Sequence, residues 1–272
     1  MKQSNLMAKI ARAPYILWAA IFIVVPLLIV VYYAFTDSSG SFTLANLAEL
    51  VQYKETFLLS LWYSLIATFI TLLISYPFAF FMSRKGPNAQ RMMLLLVMLP
   101  MWMNLLIRTY SWMNILEKNG IINNILENFG MEPLKMIGTP GAVIFGMIYN
   151  YIPYMIIPIY NVMSKIEPSL LEAAEDLGSG SLSKLRRVIL PLSMPGVISG
   201  FTMVFVPSVS TFYISQKLGG GKVMLIGDAI ERQMQTSYNY NLGASLSLVL
   251  MVVILISMVI LNRFAGDDDL LI

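Results

Sequence analysis

The residues best placed to act in this chain lie between Pro168 and Pro191. There Glu172-Ala173-Ala174-Glu175-Asp176-Leu177-Gly178 is followed by Val188-Ile189-Leu190-Pro191. Their chemistry is not covalent. The chain has no His and no Cys, which removes imidazole bases, thiolate nucleophiles and both of the usual soft metal ligands. No H-E-x-x-H, G-x-S-x-G or paired intramembrane Asp is present, so an intramembrane enzyme finds no catalytic centre. A G-x-x-x-x-G-K-[ST] phosphate loop is also missing; Gly219-Gly220-Gly221-Lys222 has the wrong spacing for one. No catalytic residue, metal site or cofactor bound by this chain is therefore expected. What remains is recognition, because a compact charged insert between long apolar segments has to meet something in water.

Local chemistry predicts that this insert is a short helix. Pro168 suits a first helical position, where a missing N–H costs nothing. Ser169 with Glu172 three residues on matches a capping box, which would start the helix one residue later. Glu172, Glu175 and Asp176 are read as complementing the positive end of the helix dipole. Gly178 ends it by adopting a left-handed conformation. The element runs from about Pro168 to Leu177 and is too short to be stable alone. Leu170, Leu171, Ala174 and Leu177 form one apolar stripe at helical spacing, suited to a groove on a partner. Ala173 and Ala174 are small enough for another backbone to approach closely. Ser183–Leu190 reads as a second short helix, stopped by Pro191. Its Lys184, Arg186 and Arg187 are read as anchors to anionic lipid.

The elements that position this insert are membrane spans. The 272 residues are 57% hydrophobic and 12% charged, with mean hydropathy +0.71. Soluble domains carry about 25% charged residues, so this is an integral membrane protein. A bilayer core needs about 20 apolar residues per helix. Six segments qualify: 16–35, 58–81, 92–112, 142–163, 194–214 and 242–261. The first has too long an apolar run for a signal peptide and is read as a retained span. Lys2, Lys9, Arg12, Arg84, Lys85, Arg91, Lys165, Lys184, Arg186, Arg187 and Arg263 fall on one side of these spans. Only Lys54, Lys118, Lys135, Lys217, Lys222 and Arg232 fall on the other. The positive-inside rule then places both termini and the Glu172 segment in the cytoplasm. Ile121–Phe129 reads as a short amphipathic helix on the outer side.

Inside the spans, all fifteen acidic residues are expected in loops or tails. That disfavours proton or sodium coupling, which needs intramembrane carboxylates. Arg108 is the single charge assigned to a span. It either snorkels outward or, with Asn104, walls a gate or pathway. Pro77, Pro100, Pro153, Pro158, Pro195, Gly196, Gly200 and Pro207 interrupt the spans, and broken helices are tolerated mainly where they line a cavity. Asn104, Arg108, Tyr110, Asn150, Tyr151, Tyr154, Ser210 and Tyr213 are the candidate pathway or gate residues. Helix packing accounts for many of the same residues.

The Glu172 segment resembles the EAA-x3-G-x9-I-x-L-P loop of bacterial ABC-importer permeases. Glu172, Ala173, Ala174, Gly178, Leu190 and Pro191 match, and Val188 replaces the Ile. Trp102-Met103-Asn104-Leu105-Leu106-Ile107-Arg108-Thr109-Tyr110-Ser111-Trp112 is similar to a stretch of the spermidine/putrescine permeases, closest to the PotB type. So are Gly219–Gly227 and the approach Tyr154–Tyr160 with Lys165–Pro168. The resemblance implies an all-α, six-span type I permease in a bacterial inner membrane. Residues 1–57 would hold the tail, first span and first outer loop. Residues 58–261 would form the five-helix core with a coupling loop at 164–193, and 262–272 a cytoplasmic tail. Glu172, Ala173, Ala174, Leu177, Gly178, Leu190 and Pro191 would then couple the chain to an ATPase. The implied partners are a PotC-type sister permease, two PotA-type ATPase subunits that bind ATP and Mg, and an extracellular PotD-type polyamine-binding protein. Membrane lipid is a further partner; nucleic acid is not. The same architecture serves iron, opine and sulfate or thiosulfate import, and a non-transporting assembly protein would not require the docking helix.

Overall fold

The computed structural model describes residues 14–263. Lys2, Lys9, Arg12 and the residues beyond Arg263 lie outside the described part. In chain order the helices are α1 (Pro14–Ala34), α2 (Ala45–Ser83), α3 (Pro87–Trp102), α4 (Leu105–Leu116) and α5 (Ile121–Asn128). They continue with α6 (Pro140–Met163), α7 (Pro168–Asp176), α8 (Ser181–Ser210), α9 (Tyr213–Leu218), α10 (Ile226–Glu231) and α11 (Tyr240–Arg263). The described residues form no strand; an isolated bridge joins Thr36 to Phe42. Of these helices, α1, α2, α6, α8 and α11 are each long and apolar enough to cross a membrane.

The predicted third span is not one helix. Its axis turns by 89° between Pro87–Trp102 and Leu105–Asn128. Pro100 begins a tight 3₁₀ turn, Met103 is extended with ψ 143°, and Asn104 caps the next helix by accepting the Leu106 N–H at 2.7 Å. A strong N-cap starts a new helix wherever the backbone has already left the helical region. The predicted fifth span shifts as well. Pro191 was expected to stop a short helix, yet α8 runs through it from Ser181 to Ser210. A π turn over Leu185–Ile189 explains this, with the Leu190 N–H bonded to the Leu185 carbonyl. The hydrogen-bond ladder has already widened there, so the ring of Pro191 meets no α-helical carbonyl in its usual clash position. At the other end Thr211 is extended and closes the helix, leaving Tyr213 and Ile214 on α9.

Lipid-type amphipathicity is visible along α2. Ser60, Ser64, Ala67, Thr68, Thr71, Ser75 and Ala79 are buried, while Leu58, Trp62, Leu65, Phe69 and Leu73 are exposed. Small residues face the protein and large apolar ones face outward, the inverse of a soluble helix. The hydroxyls of Ser60, Thr68 and Thr71 donate to carbonyls one turn back at 2.6–2.7 Å. The Ile226 N–H reaches Ser60 Oγ at 2.7 Å.

The chain divides into two compact units. One combines residues 14–54 with Ala229–Val253. Within it, Asn241 Nδ2 donates to the Thr36 carbonyl at 2.6 Å and Ser245 Oγ to the Ala34 carbonyl at 3.0 Å, satisfying the open end of α1. The larger unit contains Glu55–Asp228. Its core joins Ala79, Met82, Met155, Ile159, Met163, Ile189 and Val204. Here α6 and α8 come close because Gly196 faces the Pro158 carbonyl and Gly200 faces Met155.

A Cβ on Gly196 would lie 2.9 Å from the Pro158 oxygen, and one on Gly200 3.1 Å from the Met155 oxygen. Both obstacles are backbone and cannot swing aside. Gly196→Val is therefore expected to lower stability by about 1–3 kcal/mol, read as an earlier thermal transition of the detergent-purified protein. An unchanged transition would show that the two helices are not held at this distance.

Candidate functional site

α7 starts at Pro168, with Glu167 in the capping position. The expected capping box does not form; Ser169 Oγ donates instead to Glu167 Oε2 at 3.2 Å. The acids are also displaced from their expected place. No acidic residue lies in the first turn, and Glu175 and Asp176 occupy the last one, near the negative end of the dipole. There a carboxylate is disfavoured unless a cation answers it. Lys184 at the start of α8 does so, pairing with Glu175 Oε1. The helix closes on Gly178 at φ +78°. The Gly178 N–H donates to the Glu175 carbonyl at 2.8 Å and the Ser179 N–H to the Ala174 carbonyl at 2.9 Å. This double bond pattern requires a left-handed residue, which glycine adopts without steric penalty.

The predicted apolar stripe splits into two faces. Leu171 and Ala174 are half-buried, and Leu171 packs on the core of the larger unit. Leu170 is 47% and Leu177 86% exposed, and Ala173 between them is also exposed. Leu170, Ala173 and Leu177 stand at i, i+3 and i+7, so they form one ridge. Leu182, at the start of α8, is also exposed, at 78%. No side chain of α7 is fully buried. Glu172 is exposed beside the ridge, while Leu190 and Pro191 are exposed on α8 rather than in a loop. Sequence reasoning missed Leu182 and the Glu175–Lys184 pair; a nine-residue separation across a glycine turn has no helical periodicity to reveal it.

The candidate pathway residues fall into separate places. Asn104 is exposed and caps α4, one turn before Arg108, whose N–H donates to its carbonyl at 3.2 Å. Arg108 does not snorkel: it is 7% exposed, and its Nε and Nη1 are buried without a hydrogen-bond partner. Tyr110 and Tyr213 do come together, edge to face with ring centroids 6.1 Å apart. Between them lies a residue not anticipated. The ammonium of Lys217 sits 5.0 Å from the Tyr110 ring and 5.7 Å from that of Tyr213, within cation–π range. Tyr151 and Tyr154 form a second edge-to-face pair at 6.4 Å. The Tyr151 hydroxyl reaches the Pro207 carbonyl at 3.4 Å.

Asn150 is buried, donating to the Gly146 carbonyl at 2.8 Å while its Oδ1 has no hydrogen-bond partner. Ser210 is exposed, with its hydroxyl turned back to the Val206 carbonyl at 3.3 Å. Tyr154 lines a cleft of about 380 Å³ with Asn161, Ser199 and Met203, between α6 and α8. Asp228 lies, as expected of the acids, between two candidate spans rather than within one; it is 7% exposed on the short α10 and accepts the Leu225 N–H at 2.8 Å.

An uncompensated buried guanidinium is costly. Arg108→Leu is therefore expected to raise the thermal transition of the purified chain by a few degrees, about 1 kcal/mol or more. A lower transition would mean that the guanidinium supports the fold.

Comparison with known proteins places these features in context. Residues 60–266 match the family described as binding-protein-dependent transport system inner membrane component. The chain is 38% identical over 253 residues to the spermidine/putrescine transport system permease protein PotB of Haemophilus influenzae, covering 89% of this chain and 88% of that one. It is 35% identical to PotB of Escherichia coli K12, covering 84% and 86%. Its fold also matches a chain in the crystal structure of a bacterial ABC transporter involved in import of the acidic polysaccharide alginate. That match has a TM-score of 0.77 at 18% identity, over 96% of both chains.

Proposed function

The chain belongs to the binding-protein-dependent transport system inner membrane components, multi-pass proteins of the cell membrane, and we propose that it forms half of the translocation pathway of an ATP-driven polyamine importer. The substrate class, spermidine and putrescine, comes from the relatives named above. Its partners in this reading are a second permease, two ATPase subunits that bind ATP and Mg, and an extracellular polyamine-binding protein. Catalysis belongs to the ATPase chains.

The observation that carries the coupling role is the uncovered ridge of α7. Leu170 and Ala173 on α7 and Leu177 at its cap expose apolar surface beside Glu172, and the helix itself has only nine residues. Helices that short are marginal in water without tertiary support. The inward side is tied to the membrane helices by Leu171 and by Glu175–Lys184. A partner seated on the outer side would therefore move α8 when it moves α7. In this reading the segment faces the cytoplasm and docks on the ATPase as a helix in a groove, with Glu172, Ala173, Ala174, Leu177 and Gly178 at the joint. Leu190 and Pro191 begin the span that receives the displacement.

For the pathway, the Tyr110–Tyr213 pair shows rings that engage an alkylammonium, that of Lys217. Rings at this distance attract such a group by about 0.5–2 kcal/mol each, so a passing polyamine would compete with Lys217 for them and be guided only if the lysine swings aside. Tyr151, Tyr154, Asn150 and Ser210 are proposed as further wall residues, and Arg108 as a buried positive charge that a polycation must avoid. Asn104 serves the bend.

Two substitutions test the reading in cells carrying the whole importer. Glu172→Lys reverses charge beside the ridge, and Gly178→Asp strains the φ +78° turn that ends α7. Both are expected to leave the chain inserted in the membrane. Binding-protein-dependent uptake of labelled spermidine should fall about tenfold or more, the effect of losing 1.4 kcal/mol of docking energy. Normal uptake in both variants would contradict the coupling role. Undiminished spermidine uptake after deletion of the chain, with iron or thiosulfate uptake lost, would reassign the substrate.

A further inference from the structure

The end of α2 borders a cavity that the coupling role leaves unused. It encloses about 510 Å³, and its floor is Tyr76, Pro77 and Phe80 of α2 with Leu171, Leu185 and Ile189. Its rim is Arg84, Ser181, Lys184 and Glu175. From Tyr76 to Arg84 the helical path rises about 12 Å, so an apolar chamber opens onto a cationic mouth within the depth of a membrane interface. The apolar run of α2 ends at Ser83, immediately before Arg84.

The charge at the mouth is uneven. Glu175 answers Lys184, but among the described residues no acid pairs with Arg84. Its Nη1 donates to the Ile166 carbonyl at 3.3 Å, and its Nε and Nη2 are buried without a hydrogen-bond partner. The guanidinium lies 5.3 Å from the Phe80 ring, and Lys85 lies 4.3 Å from the Phe81 ring, a second cation one residue on. Burial lowers the pKa of Arg84, in keeping with a cation held away from water, and arginine stays protonated under all ordinary conditions. These two nitrogens are closed off from solvent as they stand; a small turn of the side chain toward the cavity it lines would present them as a planar fork able to take two oxygens of one phosphate.

We propose that this cavity binds an anionic phospholipid, with its phosphate on Arg84 and the first part of an acyl chain along Tyr76, Pro77, Phe80, Leu185 and Ile189. The volume falls within the range of about 300–1,000 Å³ usual for small-molecule sites. It admits a phosphate and part of one chain, and the remainder of the lipid would lie along exposed apolar surface such as that of Phe81. Basic pockets between membrane helices are known to take such headgroups. The bound lipid would brace the corner where α2, α7 and α8 meet, so that membrane composition bears on how firmly α7 is held. This inference needs α2 and α8 to span a bilayer but does not need α7 to dock on an ATPase. Either can fail without the other.

The test is native mass spectrometry of the importer complex purified in mild detergent from membranes containing phosphatidylglycerol and phosphatidylethanolamine. Wild-type complex is expected to retain one phosphatidylglycerol through detergent washing. Arg84→Gln should lower that retention about tenfold, while Arg186→Gln, at an exposed cation on the π turn, leaves it unchanged. A benzoylphenylalanine placed at position 181, on the rim, keeps the test informative if Arg84→Gln does not assemble. On illumination it should capture phospholipid. Equal lipid retention in wild type and Arg84→Gln would overturn the proposal. So would capture of a partner-subunit peptide at position 181, or no adduct at all.

Discussion

A polar group that enters hydrocarbon has no water to bond with, and most of this structure follows from that constraint. It explains why the long apolar segments are helices and why the hydroxyls of Ser60, Thr68 and Thr71 turn back onto their own backbone. The same constraint explains where irregular backbone is allowed. The bend at Met103–Asn104 has its first free N–H capped by the Asn104 side chain. The π turn ahead of Pro191 moves the hydrogen-bond ladder instead of breaking it. At the end of α1, Asn241 and Ser245 take the carbonyls that no further turn of helix would have satisfied. Groups that escape the rule, such as the guanidinium nitrogens of Arg84 and Arg108, are then the natural places to look for interactions with something beyond this chain.

Close packing in such a setting cannot rely on expelling water, so it relies on shape. Gly196 and Gly200 remove the side chains that would keep α8 away from α6, and the carbonyls of Pro158 and Met155 fill that space. The resulting contact makes α6 and α8 a stiff pair with α7 hung between them. Leu171, packed on the core, and the Glu175–Lys184 pair tie α7 to that frame. A short helix with one side held and the other open transmits displacement in a way that a fully buried helix cannot. Fold and proposed function meet at this point.

The sequence carried the larger features well because they rest on length and composition. Ala142–Met163 was predicted within two residues of α6, and the outer helix at Ile121 was predicted within one residue of its observed end. The start of α7 at Pro168 and its end at Gly178 followed from single-residue backbone preferences. Features set by side-chain competition were not visible. Nothing in the run Met92–Trp112 announces that Asn104 will cap a new helix rather than stay in a continuous one. Pro191 looked like a stop because the π turn that accommodates it has no composition of its own. The capping box at Ser169 lost to a hydroxyl bond with Glu167. Of the candidate site, the identity of the docking residues was legible, but which leucines face outward was not. That depends on where the core lies, and the core is tertiary.

The account turns on α7 facing the cytoplasm with its outer ridge covered by an ATPase. Because the chain has no cysteine, Ala173→Cys supplies a unique thiol on that ridge for a membrane-impermeant maleimide. The expected result is no labelling in intact cells, full labelling in inside-out vesicles stripped of peripheral subunits, and protection when the purified ATPase is restored. Labelling of intact cells from outside would contradict the account, as would labelling in vesicles that the ATPase leaves unchanged.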